Sequence, residues 1–239
     1  MIKKVCLVFL ALVVVLLAAA GVAWKLNGER WQQEYAAFRK TGAPVLMYHA
    51  VGPEEGADWP KTLIMKPELF EAHLQYLKEQ GYTIVTVAEL AERLQQGKSV
   101  DKYVALSFDD GYKNNHSVVL PLLQKYDAKG SFFVINRDIG DEMHMNEQEI
   151  KELIAAGMEL GSHTYSHNPL AAIDEKYLVW ETDTSRYWLK KKFDGYIVRT
   201  LAYPNGSYND RVIDAAKKYG FYRALTGHVG VNTAATYQK

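Results

Sequence analysis

The sequence has almost no cysteine. Its one thiol, Cys6, lies inside an apolar N-terminal run, so neither a disulfide framework nor a thiolate metal site can be built, and any metal must be held by histidine and carboxylates. An excess of either charge is also missing: 28 Lys plus Arg stand against 28 Asp plus Glu in 239 residues, which argues against a nucleic-acid or acidic-polymer binder. No internal repeat and no low-complexity tract is present. What is there, 48 % hydrophobic and 23 % charged residues, is the composition of a globular protein and too apolar for a disordered one.

Lys3 and Lys4 precede an uncharged run from Val5 to Ala23, which Trp24 and Lys25 close. Crossing about 30 Å of hydrocarbon takes roughly 20 helical residues, so the run reads as an export signal that stays in place as a membrane anchor. By the positive-inside rule its lysines remain inside and everything after Trp24 faces outward. Cleavage after Ala20 or Ala23 is the alternative, and it yields a secreted protein. The expected organisation is a signal-anchor over residues 1–24, a polar and aromatic helical spacer over 25–43 and a globular domain over 44–239.

From Pro44 onward short apolar runs alternate with amphipathic stretches. The pattern predicts strands at Val45 to Tyr48, Thr83 to Val87, Tyr103 to Phe108, Ser131 to Ile135, Met158 to Gly161, Val198 to Tyr203 and Tyr222 to Thr226. It predicts helices at Pro67 to Gln80, Ala88 to Gln96, Ser117 to Tyr126, Glu147 to Ala156, Glu175 to Lys191 and Asp210 to Tyr219. Regular alternation of strand and helix means parallel strands joined by crossovers, hence an α/β fold: a (β/α) barrel or a doubly wound sheet. In both, functional groups collect beyond the C-terminal ends of the strands.

Three features fall at such ends. Ala105 to Gly111 (ALSFDDG) runs a buried strand into two adjacent carboxylates, whose mutual repulsion needs either a cation or solvent; alone, it reads first as a solvated loop with Asp109 or Asp110 capping the next helix. Gly161 to Leu170 (GSHTYSHNPL) delivers His163 and, four residues on, His167, a spacing that lets both imidazoles ligate one ion. A zincin is excluded because Thr164, not Glu, follows the first histidine. Together a carboxylate and two histidines make a set that leaves coordination positions open for water and substrate. Arg199 to Tyr208 (RTLAYPNGSY) leads a strand into a Pro-Asn-Gly turn, which by itself needs no catalytic explanation.

In this order and at these separations the three features resemble the polysaccharide deacetylase family, carbohydrate esterase family 4. Ser107 to Gly111 is similar to its Thr-Phe-Asp-Asp-Gly motif and His163 to His167 to its His-(Ser/Thr)-x-x-His motif. Pro44 to Val51 (PVLMYHAV) and the run from Phe70 to Leu77 look like the branch that deacetylates poly-N-acetylglucosamine.

The resemblance implies a distorted (β/α)7 barrel preceded by the N-terminal membrane-anchor helix, and a divalent metal, usually Zn2+, that assists removal of acetyl groups from N-acetylglucosamine-containing polysaccharide. Carried over position by position, Asp110, His163 and His167 would be the metal ligands. Asp109 would be the general base, accepting a proton as a metal-bound water attacks, and the backbone N–H of Tyr203 an oxyanion donor. His49, Tyr203 and Asn205 would contact substrate. The late histidine that protonates the amine would be His228, the only one near the C-terminus. Where many members carry an arginine ahead of the third motif's proline, Ala202 stands here and Arg199 lies three residues earlier. That departure leaves a second reading open, a catalytically impaired carbohydrate-binding relative that keeps the metal site. Members of this branch also usually continue with another strand-like segment after the seventh strand.

Overall fold

The computed structural model describes residues 42–53 and 61–233, with isolated positions 25, 28 and 29 before them. The expected anchor over 1–24 lies outside the described residues, among which no helix is long and apolar enough to cross a membrane. The chain divides into Met1–Thr41 and Gly42–Lys239, and every strand belongs to the second unit.

Eleven strands occur among its described residues: β1 (Gly42–Ala43), β2 (Val45–Tyr48), β3 (Ala50–Val51), β4 (Ile64–Met65), β5 (Thr83–Val85), β6 (Tyr103–Phe108), β7 (Ser131–Val134), β8 (Glu159–Ser162), β9 (Thr200–Ala202), β10 (Arg223–Leu225) and β11 (Asn232–Thr233). Seven form one sheet in the order β10-β9-β8-β7-β6-β2, with β5 also on β6, and every pairing in it is parallel. These are the seven strands read from the sequence, so the α/β class with a curled parallel sheet stands. The two-residue strands went unread: β3 pairs β4 in parallel, and β11 pairs β1 antiparallel. A segment beyond the seventh strand therefore does return to the sheet region, as a two-residue clasp on the residues just before β2.

Local chemistry sets the helices that cross between strands. Pro67 opens Pro67–Glu79 at N1, where its missing N–H is no loss. Thr86 and Asn146 each form a capping box, with Glu89 and Glu149, satisfying two orphan backbone donors at a time. Two expected helices differ in form. Ser117 to Tyr126 starts earlier, as a π-helical turn Asn115–Val119 ahead of Leu120–Lys125. Glu175 to Lys191 is split by a π-helical turn Trp180–Thr184 between Glu175–Val179 and Ser185–Lys192. Such turns change which side chains share a helix face, and they concentrate at functional sites.

The sheet's axis is filled by aromatic and aliphatic side chains. Tyr48, Phe108 and Phe132 stack in succession, with centroids 5.4 and 4.8 Å apart. At the N-terminal end of the strands the buried carboxylate of Glu159 accepts from Ala88 N at 2.9 Å, Ser131 Oγ at 2.6 Å and Thr200 Oγ1 at 2.5 Å. Three elements thereby share one acceptor, and the opposite, C-terminal end is left for the site.

Candidate metal centre

β6 is buried along almost its whole length and delivers Asp109 and Asp110 together. The amide of Asp109 still belongs to the sheet, donating to Tyr48 O at 2.9 Å. The chain then turns sharply: Asp110 has φ 71° and Gly111 φ 84°. A Cβ on Gly111 would sit 2.9 Å from the Val134 side chain, so position 111 accepts only glycine without displacement. A left-handed aspartate costs of order 1–3 kcal/mol of strain and persists only where surroundings hold it. Part of that hold is Tyr112, whose hydroxyl hydrogen-bonds Asp110 and whose ring stacks on His144 at 5.1 Å.

β8 delivers His163, whose N–H donates to Val134 O at 2.9 Å. Its Nδ1 lies 2.9 Å from Ala202 O. A carbonyl can only accept, so Nδ1 carries the hydrogen and Nε2 presents a lone pair. That lone pair faces Asp110 Oδ1 at 3.4 Å, and His167 Nε2 faces the same oxygen at 3.5 Å. Burial pushes His163 down to about 4, so it is neutral at pH 7 and its approach to Asp110 is not an ion pair. Asp110 Oδ1 is buried with no hydrogen-bond partner. Among the described residues these are the one group able to hold a metal, their ligand atoms all within 4.8 Å of one another.

Two acceptors held 3.4 Å apart with no proton between them repel unless a cation joins them. Donor atoms around a tetrahedral ion with bonds of roughly 2.0–2.1 Å sit about 3.3 Å apart, and the 3.4 and 3.5 Å separations match. The Nδ1–H to carbonyl bond is also the outer contact that orients a metal-bound histidine. The residues therefore fit a divalent ion.

Asp109 is almost wholly enclosed, and burial first, then the charge of Asp110, pushes its carboxyl up to about 8. Its Oδ1 has no hydrogen-bond partner. The remaining expected residues fall as follows. Half-buried His49 follows β2 and senses both Asp110 and His167, though burial dominates and lowers it. Tyr203 is buried and stacks on Tyr208 at 5.3 Å. Asn205 is exposed in the left-handed region at φ 55°. His228 is exposed, its Nδ1 3.4 Å from Tyr208 Oη.

One expectation needs correction. The Tyr203 amide is not free for an oxyanion, because it donates to Leu225 O at 3.0 Å between β9 and β10. Arg199 does not replace the missing arginine: it is exposed, with its guanidinium 5.6 Å from the Tyr222 ring, since alternation along the strand turns it away from the sheet interior. Sequence reasoning also missed Tyr112, the Ala202 carbonyl and Glu181, which holds the histidine loop. The π-helical turns beside both motifs mark the last of these, but no residue pattern distinguishes such a turn from an α-helix.

A family model described as polysaccharide deacetylase matches residues 96–224, a span that contains Asp109, Asp110, His163 and His167. The chain belongs to the polysaccharide deacetylase family. It is 33 % identical over 191 residues to YxkH of Bacillus subtilis, covering 78 % of this chain and 65 % of that one. It is 28 % identical over 174 residues to a poly-beta-1,6-N-acetyl-D-glucosamine N-deacetylase of Staphylococcus aureus, covering 67 % of this chain and 60 % of that one. The chain thus spans somewhat under two thirds of the length of these curated relatives. Among solved structures it resembles the Streptococcus pyogenes deacetylase PplD in complex with acetate, at 31 % identity and a TM-score of 0.74, covering 82 % of this chain and 88 % of that one. Polysaccharide deacetylase BC0361 of Bacillus cereus aligns with a TM-score of 0.71 at 32 % identity, over 81 % of this chain and 60 % of that one.

Proposed function

We propose that this polysaccharide deacetylase family member is a metal-dependent hydrolase that removes N-acetyl groups from an N-acetylglucosamine-containing polysaccharide, and that its curled sheet is a distorted (β/α)7 barrel. The observation that carries the reading is the convergence of Asp110 Oδ1 with the unprotonated Nε2 of His163 and with His167, acceptor facing acceptor. A divalent ion bound there, with Zn2+ the proposed species, would supply Lewis-acid activation of water and of the acetamide carbonyl.

The chain's own groups do the rest. Asp110, His163 and His167 hold the ion, with His163 kept in the ligating tautomer by Ala202 O. Asp109 takes the proton of the attacking water. The C–N bond breaks, the acyl carbon leaves as acetate, and the sugar nitrogen needs a proton. Asp109 can return the proton it took to the amine, and exposed His228, beside Tyr208, is the alternative donor. His49, Tyr203 and Asn205 are the proposed sugar contacts, with Tyr208 stacked on Tyr203; aromatic faces suit the apolar side of a pyranose. The name of the Staphylococcus aureus relative supports a β-1,6-linked N-acetylglucosamine polymer as substrate. The apolar run from Val5 to Ala23 supports a single-pass anchor with the domain outside the cell, or a secreted protein if it is cleaved.

The test is acetate release from β-1,6-linked and β-1,4-linked N-acetylglucosamine oligomers, with and without a chelator. The proposal expects release that a chelator abolishes and added divalent metal restores. Metal-loaded protein that binds the oligomers yet releases no acetate would establish the carbohydrate-binding reading instead.

A further inference from the structure

Glu181 is an acidic residue only 2 % exposed, and nothing in the proposed chemistry uses it. We propose that Glu181 is a positioning residue that sets His167 at its ligating geometry, an inference that rests on the metal-site reading above.

Its carboxylate sits on the inner side of the π-helical turn Trp180–Thr184 and takes three donors from the histidine loop. Ser166 N donates at 2.9 Å, Ser166 Oγ makes a short bond, and Asn168 Nδ2 donates at 3.0 Å. These residues flank His167 on both sides, so its backbone is fixed by one acceptor.

The loop needs that hold, because it is bent against its preferences. Thr164 has φ 68° and His167 φ 62°; for a β-branched residue such a conformation is an outlier, and both persist only where the surroundings over-determine them. Within the loop Thr164 Oγ1 accepts from His167 N at 3.1 Å and Ser166 Oγ from Asn168 Nδ2 at 2.9 Å, while Asn136 N and Arg137 N donate to Thr164 O and Tyr165 O at the end away from His167.

The same helical segment anchors the loop's other end. Ser185, one turn beyond Glu181, pairs with Ser162 Oγ at 2.6 Å and donates to Asn136 Oδ1 at 2.9 Å, while Ser162 Oγ accepts from Thr164 N at 3.1 Å. Glu181 holds the half of the loop that carries His167, and Ser185 the half that follows His163. The π-helical turn is the device that faces both side chains to the loop, and its Trp180, 49 % exposed, packs edge-to-face on Tyr165 of the same loop at 5.2 Å.

The experiment measures Zn2+ affinity by competition with a chromophoric chelator, and the visible absorption of the Co2+-loaded protein, for wild type, Glu181→Gln and Glu181→Ala in the full chain. Thermal unfolding of the metal-free proteins is followed in parallel. Loss of an outer partner of a metal ligand typically weakens binding about 10- to 100-fold. We expect that range for Glu181→Ala with an altered Co2+ spectrum, and a smaller loss for Glu181→Gln, which retains one acceptor. Wild-type affinity and spectrum in Glu181→Ala, with only a lowered Tm, would overturn the proposal. Should Glu181→Ala not fold, Ser166→Ala removes one donor alone, and unchanged Zn2+ affinity there overturns it equally. Wild-type protein that takes up neither metal would refute the metal-site reading itself, and this inference with it.

Discussion

Two adjacent aspartates have different surroundings here, and the proposed chemistry gives them different tasks for that reason. Asp110 turns into the left-handed region and faces two imidazoles, whereas Asp109 stays in the ladder and is enclosed. In metal-free protein Asp109 binds its proton far more tightly when folded, at about 8 against 3.8. Its contribution to stability is therefore fully present below the unfolded value and is lost as pH rises through 8. Between about pH 5 and 8 metal-free protein should lose stability, at a slope approaching 1.4 kcal/mol per pH unit as an upper bound and levelling off above 8. Asp109→Asn should flatten that slope, raise the Tm at pH 9 and abolish acetate release while metal still binds. Calorimetry across this window checks it, and parallel pH profiles for the two proteins would contradict it. His228→Ala separates the proposed routes for the second proton. Retention of kcat within a few-fold supports Asp109 as donor, whereas a loss of about 100-fold or more, the range for general acid catalysis, assigns the step to His228.

At the scale of elements, the third motif turns on a backbone constraint. Gly206 has φ 62°, and a Cβ there would lie 2.5 Å from the Thr226 carbonyl oxygen, a rigid neighbour. Gly206→Ala should cost more than about 1 kcal/mol and lower Tm by roughly 2–4 °C or more; an unchanged Tm would mean that the turn between β9 and the helix Asp210–Lys218 relaxes freely. The seven sheet strands and their crossover helices were legible because burial imposes a period on each, and because Pro67 carries a start signal of known chemistry; Thr86, read as part of a strand, instead caps the helix that follows. The clasp of β11 on β1 was not, since a two-residue strand has no period and its partner lies at the far end of the domain. Asp110, His163 and His167 were legible as ligand types at strand ends. The tautomer of His163 was not, because it depends on a carbonyl of β9, and the engagement of the Tyr203 amide depends on β10. Roles that rest on main-chain partners from other strands leave no mark on residue type.

At the scale of the whole molecule, a net charge of zero means that no long-range field gathers substrate, and an N-acetylated glycan is itself neutral. The kcat/KM for acetate release should change by less than about 2-fold between 10 and 150 mM salt, a range that shortens the Debye length from roughly 30 to 8 Å; a steep dependence would point to a charged subsite. Everything proposed for this protein requires that the buried meeting of Asp110, His163 and His167 be built around a cation. The most direct test is elemental analysis of purified protein, with Zn2+ titration of the chelator-treated form, beside Asp110→Asn and His163→Ala. The account predicts one divalent ion per wild-type chain and a large loss of affinity in both variants. Folded wild-type protein that takes up no divalent ion, or variants that bind as wild type does, would contradict it.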